Sequence, residues 1–383
     1  MSQSRFKSIR NAFLTGLLLV APLAVTIWVL RLIIGMVGGS ITPAFIRYLP
    51  DTLQHLPAIF WDIVTTVIVF ALPAFVTDFR AQQFSYVGIY LVALIGLNIL
   101  TGYTGQISLG HGAFMAIGGY TTAILMSDHG VKDIVTIPIA IVVTGVAGFL
   151  FGLPAARLSG LYLALATFAI AVAMPSVIKR FEGFTGGGSG INLFGTPELT
   201  ASLTPVKLFG FELNFNNWLY YLAWSVAMVG YVIGWLILRG RTGRAFRAVR
   251  DSETAAVSSG VSLARTKALA FGISAAYAGA AGALFAIATT YVNPDTFPVA
   301  LSIFLLVGVV VAGLGSLQGL IIGAIFIQFM PLWAQNISKS PGAPAVIYGA
   351  FLILVVLALP GGAAGLISRL LQLTRRGRDF PKP

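Results

Sequence analysis

The residues whose types and spacing could do chemistry cluster in 239–267, RGRTGRAFRAVRDSETAAVSSGVSLARTK, between two very apolar segments. Seven of the 24 Lys+Arg lie there: Arg239, Arg241, Arg244, Arg247, Arg250, Arg265 and Lys267. A basic loop between apolar spans marks the cytoplasmic face of a membrane protein. Its pattern also predicts two short helices. In the first, 242–251, Arg244, Arg247 and Asp251 share one face, and Ala245, Ala248 and Val249 another. Ser252 is placed to cap a second helix through Ser259, with Glu253 in its first turn and Gly260 as a left-handed stop. Folded helices with an alanine face, Ala255 and Ala256, exceed what solvation requires. The expected chemistry is therefore docking to a cytosolic partner.

A second polar stretch, Thr101-Gly-Tyr-Thr-Gly-Gln-Ile-Ser-Leu-Gly-His-Gly112, sits between apolar pieces. Glycine-rich backbone is tolerated at membrane depth where it is buried in protein or lines a wet cavity. Broken helices of this kind present unpaired backbone groups to a substrate. A third, Phe184-Thr-Gly-Gly-Gly-Ser-Gly-Ile191, has neither the Lys-Ser/Thr nor the strand–helix context of a nucleotide loop, and reads as a flexible turn near a pore mouth. No Ser/His/Asp set, intramembrane carboxylate pair or Walker lysine motif is present. His55, His111 and His129 lack metal-ligand spacing. There are no cysteines, which excludes disulfides and thiol chemistry. A transporter without its own energy site needs an external motor.

These stretches must be positioned by membrane helices. The 383 residues are 57% hydrophobic and 9% charged, against about a quarter charged in soluble domains. The net charge of +12 sits in loops and termini, as the positive-inside rule expects, rather than marking nucleic-acid binding. The apolar segments are 13–37, 58–76, 83–100, 113–127, 134–153, 159–178, 217–238, 268–290, the pair within 301–330, and 345–359. The first follows Arg5, Lys7 and Arg10 and is too long for a signal-peptide core, so it reads as a retained anchor. A basic N-terminus and a basic 239–267 loop on one side require an even number of crossings between them. Taking 113–127 as re-entrant satisfies this and places Arg80 and Arg157 inside. The expectation is an all-α, polytopic transmembrane helical bundle of about ten spans plus a broken or re-entrant segment. Its parts are an N-terminal anchor and loop (1–57), a transmembrane body (58–368) and a basic cytoplasmic tail (369–383). Ala275, Gly279 and Ala283, and Gly315, Gly319 and Gly323, recur at four-residue spacing, which lets helix backbones approach closely in lipid.

From Gly96 onward the chain resembles the membrane subunit of ATP-binding-cassette importers for branched-chain amino acids and urea. The stretch from Leu97 to Met115 resembles that family's most specific signature. Gly243-Arg244-Ala245, Ala248, Arg250, Ala255-Ala256, Gly260 and Lys267 match its cytoplasmic loop. Ala270-Phe271, Ser274-Ala275, Ala278-Gly279 and 281–284 match the helix that follows. Thr185-Gly-Gly, 313–316 and Pro360-Gly-Gly match as well. Ala312 stands where the family usually has Gly, Leu320 where it often has Pro, and Gly188 where it has a polar residue. The first ~55 residues resemble instead the start of a group of small membrane proteins.

The resemblance implies an all-helical permease that binds no cofactor and carries out no catalysis. It would work with a homologous second permease, two ATP-binding subunits that hydrolyse ATP, and an extracytoplasmic solute-binding protein, in the bacterial inner membrane with both termini cytoplasmic. Gly243, Arg244, Ala245, Arg247, Arg250, Asp251, Glu253, Ala255, Ala256 and Gly260 would couple to the ATPase. Thr104, Gly105, Gln106, Ser108, Gly110, His111, Gly112, Thr185 and Gly186 would line the substrate path. The competing reading is an ion- or proton-coupled carrier acting alone, which the missing intramembrane carboxylates disfavour.

Overall fold

The computed structural model describes residues 77–337 except 198, 200–205 and 209–210, and beyond them residues 346, 347, 349, 350, 353, 362 and 365. The segments 1–57, 58–76 and 369–383, and most of 345–359, lie outside the described residues.

Helix α1 (Asp78–Asn98) continues into a π-helical turn, Ile99–Tyr103. An irregular stretch leads to α2 (His111–Ser127), then α3 (Asp133–Ala155) and α4 (Gly160–Arg180). A short turn of helix, α5 (Glu182–Thr185), and strands β1 (Ile191–Asn192), β2 (Val206–Leu208) and β3 (Phe211–Leu213) precede α6 (Phe215–Arg239). Two helices follow in the basic loop, α7 (Arg241–Asp251) and α8 (Glu253–Ser258). The chain continues as α9 (Leu263–Thr289), β4 (Tyr291–Val292), α10 (Val299–Ala312) and α11 (Leu320–Ile337).

Seven helices among the described residues are long and apolar enough to span a bilayer. They are α1 with its π-turn, α3, α4, α6, α9, α10 with its preceding 3-10 turn, and α11. Helix α2, at 17 residues, falls just short of the ~20 that a span needs. The described chain is thus a helical membrane bundle with two small antiparallel pairs, β1–β4 and β2–β3, which the all-α expectation omitted.

The core is α9 and α1, each 83% buried along its most apolar window, against 28% for α3 and α4. Alanine supplies the helix propensity of α9, and its glycines let neighbours close in. A Cβ on Gly279 would fall 2.7 Å from the Ala140 carbonyl oxygen of α3, and one on Gly148 would fall 2.1 Å from the Ala275 methyl. Ala283 is fully buried on the same helix. On α11, Gly323 abuts the Gly308 carbonyl of α10, and Gly319, just before α11, abuts that of Ala312. Gly315 departs from the expected helical stripe. It lies in the turn between α10 and α11 with φ +77°, so its spacing to Gly319 is not a helical repeat. Pro331, expected in a loop, lies inside α11.

The contacts also fix which way each helix runs. Trp224 of α6 donates its indole N–H to the Phe84 carbonyl of α1 at 3.2 Å, and Gly234 of α6 faces Ile95 and Ile99. Helices α1 and α6 therefore run parallel. Both end beside α7: Arg250 reaches the Gly102 carbonyl, and α7 follows α6 after Gly240. We call this the basic end. Helix α3 starts at the far end, where Asp133 accepts from Trp218 in the first turn of α6. It finishes at the basic end, where Gly152 packs on Ala268. The stretch 104–127 thus carries the chain from the basic end to the far end, an irregular part followed by a helix.

This corrects the re-entrant reading of 113–127. It also moves Arg80, on the first turn of α1, to the opposite end from the basic loop, while Arg157 stays with the loop. Charge counting treated the polar stretch as turning back, whereas Arg250 holds its first residues at the basic end and α2 departs from there.

Candidate functional site

At the basic end, α7 lies across the end of α6. Gly243 makes that approach possible, because a Cβ there would fall 2.1 Å from the Leu238 carbonyl oxygen. Phe246 and Val249 are buried beneath α7, with Gly243, Phe246 and Val249 spaced to share one face. Arg247 donates to the Leu238 carbonyl at 3.2 Å, closing one of the orphan acceptors at the end of α6. Arg250 donates from Nη1 to the Gly102 carbonyl at 3.0 Å and lies 3.3 Å from the Asp251 carboxylate. Arg241, Arg244, Arg250 and Asp251 are exposed, the Arg250 side chain by 40%, while Ala245 and Ala248 are half-buried. The expected face of Arg244, Arg247 and Asp251 is therefore divided: Arg244 and Asp251 look outward, and Arg247 turns into the bundle.

Helix α8 begins as its sequence predicts. The Ser252 hydroxyl accepts from the Ala255 N–H at 3.3 Å, and Gly260 follows the helix with φ +83°. Ala256 is buried but Ala255 is exposed, since neighbours on a helix lie about 100° apart. Glu253 pairs with Lys267 at 2.7 Å, and the Lys267 side chain is only 3% exposed. This bond ties α8 to the first turns of α9. Replacing Glu253 with Gln leaves the lysine buried without its counter-charge. The expected cost is about 1–3 kcal/mol, discounted because the carboxylate is partly solvated. It would be read as a lower thermal unfolding midpoint in detergent, and an unchanged midpoint would refute the bond's role.

The polar stretch starts where α7 touches the bundle. Thr101 donates to the Gln106 carbonyl at 3.1 Å, Thr104 to that of Leu100, and Gln106 Nε2 to Thr104 Oγ1 at 3.2 Å. Residues 100–106 are thereby knitted into one unit. Asn98 clamps the α10–α11 turn to it, accepting from the Gly315 N–H and donating to the Ser316 carbonyl, both at 3.0 Å. Farther along, the Leu109 N–H donates to Thr167 of α4, and the Gly112 N–H to Ser302 of α10. Gln106, Ser108 and His111 are at most 5% exposed. Among the described residues, Gln106 Oε1 and His111 Nε2 are buried without a hydrogen-bond partner. Thr185 and Gly186 are at the far end. There Thr185 donates to the Ile178 carbonyl at 2.7 Å, and Gly186, with φ +69°, ends α5. The glycine run beyond is an ordered turn, with Tyr291 donating to the Ser189 carbonyl. The nominated path residues are strung from the basic end to the far end along α2, rather than gathered in one place.

The description "Branched-chain amino acid transport system / permease component" matches residues 79–359, almost the whole described bundle. The chain belongs to this permease family. Among curated relatives, the high-affinity branched-chain amino acid transport system permease protein LivM of Salmonella typhimurium is 35% identical over 276 residues, covering 68% of this chain and 65% of that protein. LivM of Escherichia coli is 36% identical over 253 residues, covering 62% of this chain and 60% of that protein. The permease protein LivH of Escherichia coli is 26% identical, covering 75% of this chain and 96% of that protein. The chain thus spans less than two thirds of the length of the two LivM relatives. No solved structure matches it.

Within this permease, sequence reasoning located α7, α8 and the polar stretch. It passed over Asn98, Glu253 as the partner of Lys267, and the role of Gly315. An Asn in an otherwise apolar helix was the available signal for the first, because buried polar side chains need partners. Nothing local could show that its partner lies 217 residues away.

Proposed function

We propose that this chain is the membrane-spanning permease subunit of an ATP-driven importer for branched-chain amino acids or a related small solute such as urea. The observation that carries the reading is the folded α7–α8 pair at the basic end. It is anchored to α6, α1 and α9 by Arg247, Arg250 and the Glu253–Lys267 bond, and it presents Arg241, Arg244, Asp251 and Ala255 outward. Such a platform suits receipt of a push from a soluble partner. The partners are two ATP-binding subunits, one of them docked on α7–α8, a homologous second permease and an extracytoplasmic solute-binding protein. ATP is hydrolysed by the partner subunits, and this chain binds no cofactor. Among relatives, proteins named LivM and LivH are both permease components of such systems, which supports pairing of two homologous permeases.

The setting is the bacterial inner membrane, multi-pass, with the basic end and the 369–383 tail cytoplasmic. A cytoplasmic N-terminus goes with an odd number of crossings in 1–76. The lone secondary carrier is the reading that this one displaces.

Purification with and without a solubilised cognate ATPase, followed by uptake of labelled leucine-type solutes and urea in vesicles, tests the proposal. Retention of the ATPase and ATP-dependent uptake are expected. Uptake without nucleotide would point to the lone carrier. Arg244→Glu sharpens the test, because its side chain faces outward and away from the bundle. It is expected to weaken ATPase retention by about tenfold, the scale of one lost interfacial charge pair, with no change in the unfolding midpoint. Unaltered retention would remove Arg244 from the docking face.

A further inference from the structure

Arg250 occupies an unusual seat. Its guanidinium and stem lie in a notch made of three glycine backbones from two parts of the chain, 102–105 and the α10–α11 turn. Gly102, in the π-turn at the end of α1, accepts the Nη1 hydrogen bond at 3.0 Å. Gly105, in the polar stretch, has φ +72°, and a Cβ there would fall 3.1 Å from Arg250 Cγ. Gly315, in the α10–α11 turn, has φ +77°, and a Cβ there would fall 3.1 Å from Nη1. Positive φ explains glycine at the last two positions. The close approach of the arginine adds a second reason. Gly102 is needed for another contact, because its Cβ would fall 2.4 Å from the Gly315 nitrogen.

The two arginines of α7 that bond to backbone carbonyls do different things. Arg247 donates its hydrogen bond to Leu238 of α6, the helix that leads directly into α7, and its charge also reaches Tyr103 of the π-turn. Arg250 crosses to elements remote in sequence. The unit it grips is knitted by the Thr101, Thr104 and Gln106 bonds and by the Asn98 clamp. Movement of the Gly102 carbonyl therefore moves residues 100–106 together. Three residues on, the chain is held by Thr167 of α4 through the Leu109 N–H. The stretch 104–110 is thus strung between a grip on α7 and a grip on α4. π-helical turns are frequent at functional sites, and this one ends α1 where the stretch begins.

We propose that Arg250 is the positioning residue through which displacement of α7 is passed to the 104–110 stretch, the three-glycine notch being its socket. The proposal rests on the permease reading above and adds to it the specific link from docking helix to path. A side chain that merely stapled the fold would not be needed for a nucleotide-dependent change at the other end of the stretch.

The test uses the intact complex in nanodiscs with its ATPase subunits. The chain has no cysteine, so Ser108→Cys places a single thiol in it at a site 1% exposed. Maleimide labelling of this chain is followed by mass spectrometry, nucleotide-free and trapped with ATP and vanadate. With Arg250 present, the labelling rate is expected to differ by about fivefold or more between the two states, the lower range of allosteric coupling. Adding Arg250→Gln should bring the two rates within about twofold of each other, and Arg250→Lys should give an intermediate ratio. A ratio that persists in Arg250→Gln overturns the proposal, as does equal labelling with Arg250 intact. If Arg250→Gln fails to assemble, Arg250→Lys decides, and a native ratio there overturns it. If the chain with Arg250 intact retains no ATPase, the permease reading falls and this inference with it. Retained ATPase with a persistent ratio removes only the inference.

Discussion

Gly243→Val is expected to abolish uptake while leaving the transmembrane helices folded. The new Cβ would fall 2.1 Å from the Leu238 carbonyl oxygen, 2.4 Å from its carbon and 2.5 Å from its Cα. All three atoms are backbone at the end of α6, so no side chain can swing aside. Helix α7 must lift from its seat, and Phe246 and Val249, now buried, lose their cover. Overpacking of this kind costs about 3 kcal/mol. At 1.4 kcal/mol per factor of ten, the docked form would fall by roughly a hundredfold. Uptake in vesicles and ATPase retention would both report it. Gly240→Ala is the control, because its Cβ would meet carbonyl oxygens only at 3.4 Å and its φ of −72° suits any residue. Native uptake in Gly243→Val would show that α7 has no fixed seat.

The second large effect is expected from Gly282→Val, which acts on the bundle itself. A Cβ at Gly282 would fall 2.0 Å from the Met115 carbonyl oxygen of α2 and 2.8 Å from its carbon. The same pair of helices meets again at Gly118, where a Cβ would fall 2.4 Å from the Gly279 carbonyl oxygen. The backbones of α2 and α9 are in contact, so a branched side chain must part them along much of their length. Helix association in lipid depends on such packing rather than on the hydrophobic effect, and the expected cost is about 3 kcal/mol or more. Folded yield in mild detergent and the unfolding midpoint should both drop sharply. Gly188→Ala, with nothing within 4 Å of its added Cβ, should leave both unchanged. Equal yields for the two variants would mean that α2 is not held as described.

What the sequence made legible follows from how local each signal is. Ser252 as a cap and Gly260 as a stop are encoded within a few residues, and both are present. The small-residue spacing of α9 is a property of one helix, and it packs as expected. The carbonyl bonds of Arg247 and Arg250 were not legible, because helical periodicity separates polar from apolar faces but does not say which arginine meets a buried carbonyl. Gly315 was read as part of a stripe because four-residue spacing looks helical even where a turn interrupts it. The topology of 101–127 failed for a different reason. Charge counting assigns sides to loops, and this loop has no charge of its own. Its side is set by Arg250, 148 residues on.

The placement of α1 bears on how the protein is made. Helix α1 is almost wholly enclosed, yet its main neighbours among the described residues, α6, α9, α10 and α11, are all synthesised after it. Its Asn98 has no turn to clamp until Gly315 and Ser316 have left the ribosome. Until then an amide near the membrane surface must be hydrated or shielded by the insertion machinery. The first helix of the described bundle is consequently among the last to settle, and chains cut short before residue 313 leave it without its lock.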